Sequence, residues 1–63
     1  MIKLVSFVEK MLFDSEKIAI FGENDELLFK GYKKDFLQKN ILQDYSVSTF
    51  WISYDKLIIS VKQ

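Results

Sequence analysis

The side chains in this sequence that can do chemistry are carboxylates, lysines, tyrosines and hydroxyls, because histidine, cysteine and arginine are absent. Two local groups stand out. Glu23, Asp25 and Glu26 form the one acidic cluster, a spacing that raises a divalent-cation loop. Lys33 and Lys34, between Tyr32 and Asp35, raise a phosphate contact. Neither group goes far. A calcium loop needs more oxygen ligands at fixed spacing, with a glycine at its sharp turn, and this stretch is too short. A solvated turn describes it better, and a solvated strand exit describes Lys33-Lys34. Gly22 and Gly31 are isolated and form no phosphate-binding loop. Acid–base work by paired carboxylates needs two of them facing each other across a pocket, and 63 residues leave little room for a pocket beside a core. Without His or Cys, the usual proton carriers, nucleophiles and zinc ligands are missing. The residues predict no catalysis, no metal and no cofactor.

What the sequence has in excess is aromatic: six Phe, three Tyr and one Trp. Such residues fill cores and anchor interfaces. Hydrophobic residues make up 49% of the chain, a high share for one small domain near the size limit of a self-supporting core. No disulfide or zinc staple offsets that size, so the composition favours association. Net charge is zero and the charges are interspersed. A nucleic-acid binder shows a net basic footprint with arginine contacts, so composition speaks against direct nucleic-acid binding. Leu57-Ile58-Ile59 is typical of the longest apolar runs and is far too short to span a bilayer. Glu9 and Lys10 interrupt the first apolar stretch, and no small-residue cleavage site follows, so no signal peptide is read. Together with the missing disulfides, this predicts a cytoplasmic protein.

The elements that position these residues follow from periodicity. Residues 2–12 read as an amphipathic helix, with Leu4, Val5, Phe7, Val8, Met11 and Leu12 within an arc of about 160° at about 100° per residue. Phe13-Asp14-Ser15-Glu16 breaks it. Residues 17–21 alternate and are β-branched at 18 and 20, and 27–32 returns across a loop of about five residues, predicting a β-hairpin. Ile18, Ile20, Leu27 and Phe29 are expected on one side, and Ala19, Phe21, Leu28, Lys30 and Tyr32 on the other. Gly31 suggests a bulge or the strand exit. Residues 34–43 suit a short helix, with Asp35 placed to cap it or complement its dipole. Residues 46–53 and 57–62 read as strands around a Tyr54-Asp55-Lys56 turn. The expected fold is one α+β domain over residues 1–63, in αββαββ order. It has an antiparallel sheet of about four strands with the N-terminal helix packed on one face.

From about residue 17 to 62 the chain resembles small proteins encoded by phages and prophages of low-GC bacteria. The resemblance rests on Ile18-Ala19-Ile20-Phe21, the acidic turn, Leu27-Leu28-Phe29-Lys30-Gly31, a short helix, and Leu57-Ile58-Ile59-Ser60-Val61 after an Asp-containing turn. One position departs: those proteins carry glycine after the turn asparagine, and here Asp25 follows Asn24. The resemblance implies the fold and a mobile-element origin, and it assigns no functional residue. Proteins of this size and origin commonly block host machinery. That implies a non-enzymatic inhibitor of a host defence complex, such as a CRISPR nuclease, acting by steric occlusion in the host cytoplasm.

The aromatics divide. Phe29, Phe36 and Phe50 are expected in the core. Phe21, Leu28, Tyr32 and Trp51 form an exposed patch if both helices lie on one sheet face, and such a patch marks an interface. The residues expected to bind a partner are Phe21, Tyr32, Trp51 and Tyr54, with Glu23, Asp25 and Glu26 as a mimic of nucleic-acid phosphates. The partner is a host protein or complex. The alternative is a structural module that uses the same patch to form a homodimer.

Overall fold

The computed structural model describes residues 2–10 and 17–63. In chain order these form α1 (Leu4–Glu9), β1 (Lys17–Phe21), β2 (Leu27–Tyr32), α2 (Lys33–Lys39), β3 (Ser46–Ser53) and β4 (Lys56–Lys62). The small α+β domain and its αββαββ order agree with the periodicity. The part of the predicted first helix at Met11 and Leu12, and the break at Phe13 to Glu16, lie outside the described residues.

Strand order is β2-β1-β4-β3. Both hairpins are antiparallel, but β1 and β4 pair in parallel at the centre, with Ile18 opposite Leu57 and Ile20 opposite Ile59. The sheet is therefore mixed, where the sequence predicts antiparallel pairing throughout. The cause is the crossover. Residues 33–45, including α2, carry the chain from one sheet edge to the other, a length that parallel connections require. Each hairpin then folds its more apolar strand inward, and the two inner strands run the same way.

Ile18 and Ile20 of β1 and Leu57, Ile59 and Val61 of β4 are buried with Leu4 and Val8 of α1 and Phe36 of α2. One sheet face thus meets both helices. Phe29 packs its ring on Phe36, with centroids 5.2 Å apart at 62°, an edge-to-face geometry that adds about 0.5–1.5 kcal/mol to burial. Lys33 is 4% exposed, not solvated. The helix starts directly after β2, so its first turn folds back on the domain and takes the lysine stem with it. Asp35 lies in the first turn of α2 and Lys39 in the last, each complementing the dipole, and no side-chain cap forms. Asn40, left-handed at φ 53°, ends the helix at Lys39, short of the predicted 43.

Two further expectations change for one reason. A bulge falls between Ile20 and Phe21: Phe29 pairs with Ile20 and Leu27 with Phe21, leaving Leu28 as the extra residue. Beyond the bulge the alternation inverts. Leu27 joins the Phe21 side, half exposed, and Leu28 packs against the core. Gly31 is not the bulge. It stays in register opposite Ile18, and a Cβ there would lie 3.2 Å from the Phe29 ring. Phe50 points to the helix side yet is half exposed, because β3 is an edge strand; its ring lies 4.9 Å from Phe7.

Candidate functional site

Because α1 and α2 share one side of the sheet, the other side carries no helix among the described residues. Residues directly paired across strands share a face, so the register lays this one out in rows. Tyr32, Lys17, Lys56 and Ser53 form one row. Lys30, Ala19, Ile58 and Trp51 form the next, and Leu27, Phe21, Ser60 and Thr49 the third. Lys62 continues β4 beyond them. Ala19 is 3% exposed, and the register sets it between the longer Lys30 and Ile58.

The charge on this face is one-signed. The strand residues of the sheet include four lysines, at 17, 30, 56 and 62, and not one carboxylate. All four project on the helix-free side. A net charge of zero hides this, because the acids among the described residues sit in turns and helices. Lys17, Lys30, Lys56 and Tyr32 line an open groove of about 430 Å³ where β1 begins. Asp55, in the β3–β4 turn, supplies the counter-charge there through an ion pair with Lys17 at 3.3 Å. The hydrogen bond from Lys17 and its positive charge hold the Asp55 carboxyl below its ordinary pKa.

The structure brings some of the expected binding residues together. Phe21 and Trp51, separated by Ser60, line a shallow cavity of about 220 Å³ with Asp25 at its rim. Tyr32 lies on the same face at the other end, among the lysines. Tyr54 does not join the acidic turn. Since β1 and β4 are parallel, the β1–β2 turn and the β3–β4 turn cap opposite ends of the sheet. Glu23, Asp25 and Glu26 are all exposed on a loop closed by Gly22 N–H donating to the Glu26 carbonyl at 2.9 Å and Asp25 N–H to the Gly22 carbonyl at 3.1 Å. Asp25 has φ 60°. That is a left-handed position, which glycine adopts without strain. Among the described residues no group of His, Cys, Asp or Glu side chains is close enough to hold a metal ion.

Comparison with protein-family models, curated proteins and solved structures gives no match. Among the described residues, no helix is long and apolar enough to cross a membrane. Sequence reasoning found the aromatics of the face and placed Lys30 with them, but missed Lys17, Lys56 and Lys62. The signal was present: Lys17, Lys30, Lys56 and Lys62 each fall out of phase with the inward-facing Ile, Leu and Val of their strand.

Proposed function

We propose that this chain is a non-catalytic protein-binding module that docks its helix-free sheet face on an acidic protein surface. One observation carries this: all four strand lysines and three aromatics from three strands share the face that no described helix covers. Trp51 and Phe21 act as apolar anchors flanking Ser60, and Tyr32 presents an amphipathic ring beside the cationic groove. Lys17, Lys30, Lys56 and Lys62 select an acidic partner and steer the encounter. The phage-type resemblance extends this to inhibition of a host defence complex by occlusion. A phosphate-mimicking inhibitor would have to present carboxylates broadly. Here lysines dominate the face and the carboxylates are confined to its turns, so the inhibitory form this charge pattern favours is docking on acidic protein rather than filling a phosphate groove.

The test is capture from a nuclease-treated host lysate by the wild-type chain and by Lys30→Glu/Lys56→Glu. Specific protein capture, reduced at least roughly tenfold by the charge reversal and weakened by salt, is the expected result. Capture that the variant leaves unchanged overturns the reading. So does retention that disappears with nuclease and reappears on added single-stranded nucleic acid, since aromatics with lysines also make a stacking platform for bases.

A further inference from the structure

The sheet has two edges, and they are not alike. β2 carries Lys30 and runs straight into α2. β3 has eight residues, Ser-Val-Ser-Thr-Phe-Trp-Ile-Ser, with no charge and no proline, two of the devices that block an open edge. Its one irregularity, at Ser48, precedes the regular stretch Thr49 to Ser53. Its first part is already occupied: Val47 N–H donates to the Ile2 carbonyl at 2.8 Å and Leu4 N–H to the Tyr45 carbonyl at 2.9 Å. From Ser48 to Ser53 no described segment pairs with the outer edge. On this stretch Trp51 is 50% exposed and Ile52 74%.

We propose that this stretch pairs antiparallel with the same stretch of a second copy, about a two-fold axis at Trp51. The register follows from the hairpin. Ser53 and Lys56 flank a two-residue turn and so form a hydrogen-bonded pair, which directs the backbone groups of Phe50 and Ile52 away from β4. Placing Phe50 opposite Ile52 of the second copy, and the reverse, satisfies all of these groups. It also sets the two Trp51 residues at the close, non-hydrogen-bonded position on the helix-free face. The length fits as well. In this register the paired stretch runs from Thr49 to Ser53 of each copy, and the second copy's turn begins opposite Ser48, next to Val47, where Ile2 occupies the edge. An uncharged strand meets itself without like-charge opposition, which a charged edge would incur. The result is one continuous eight-stranded sheet with its lysine-bearing faces side by side. The area covered is on the order of several hundred Å² per copy, at the low end for specific interfaces, so a weak, concentration-dependent dimer is expected.

This inference is independent of what the helix-free face binds, and its test uses the purified chain alone. The sequence has no cysteine, so single-cysteine variants are clean probes. Trp51→Cys is expected to cross-link on mild oxidation to twice the 7.5 kDa chain mass. Thr49→Cys is expected not to, because in this register the two residues 49 lie roughly 13 Å apart. Sedimentation over roughly 5–500 µM is expected to show a monomer–dimer equilibrium, with the midpoint raised at least tenfold by Ile52→Lys and unmoved by Lys30→Glu. Ile52 is exposed enough for that variant to fold, and circular dichroism verifies it. A monomer at every concentration overturns the proposal and leaves the edge to a foreign strand. Equal cross-linking of both cysteine variants, or a dimer indifferent to Ile52→Lys, overturns it too.

Discussion

Tyr54 offers the sharpest test of whether the exposed aromatics are selected for binding, because there the fold and the display conflict. It stands first in the two-residue β3–β4 turn, 98% exposed, with φ 56°. A left-handed backbone costs a non-glycine residue about 1–2 kcal/mol, and a ring this exposed recovers none of it by burial. Replacing Tyr54 with glycine removes that strain and restores about 0.5–1 kcal/mol of unfolded-state entropy on the other side. The net expectation is a gain of about 0.5–1 kcal/mol, which for a domain of this size raises Tm by about 2–8 °C. Thermal unfolding followed by circular dichroism measures it, with Tyr54→Asn as a second variant that tolerates the same conformation at less entropic cost. If Tyr54 serves a partner, both variants gain stability and lose capture together. Unchanged or lowered Tm in both would refute the strain argument. A gain in Tm with capture intact would remove Tyr54 from the binding residues.

Ile59 is fully buried on central β4, so Ile59→Val is expected to cost about 1 kcal/mol and Ile59→Ala about 2–5. Against a total of roughly 3–9 kcal/mol for such a chain, the alanine variant should be largely unfolded on urea titration while the valine variant is not. Asp25→Gly should leave Tm unchanged or raise it, since Asp25 already occupies a glycine conformation at φ 60°. Asp55 has a folded pKa below its unfolded one through Lys17. Its stabilising contribution is therefore complete above the unfolded value and disappears as pH falls through the folded one. The Tm difference between wild type and Asp55→Asn should narrow over that acid range, and salt should shrink it at every pH because the pair is exposed. Lys17→Met should return the Asp55 carboxyl, followed by NMR, toward its ordinary pKa.

The strands were legible because their period of two is a local property. Ile18 and Ile20, or Leu57, Ile59 and Val61, announce a buried face without reference to anything distant. The parallel centre was not legible. Direction in a sheet depends on which edge the crossover reaches, and nothing in residues 33–45 states that it spans the whole sheet. The bulge at Leu28 was hidden for a related reason. A single extra residue inverts every later side chain, and Leu27-Leu28 offers two equivalent residues for the inward position. Phe50 was misplaced in the core because alternation gives the face of a side chain and not whether its strand is central or an edge.

The lysines show what composition leaves out. Zero net charge speaks against a nucleic-acid footprint, but it does not describe how the charge is distributed over the surface. On a sheet with helices on one side, every charged strand residue is forced to the other side, because burying it against the helices would cost several kcal/mol. Any bias in which sign the strands carry therefore becomes a one-signed face. Here the only charged strand residues are lysines, and the acids among the described residues fall in turns and helices, away from the middle of that face. Strand register sets Phe21, Tyr32 and Trp51 on the same side as these lysines. Strand alternation, read for charge as well as for hydrophobicity, thus locates this lysine-bearing face.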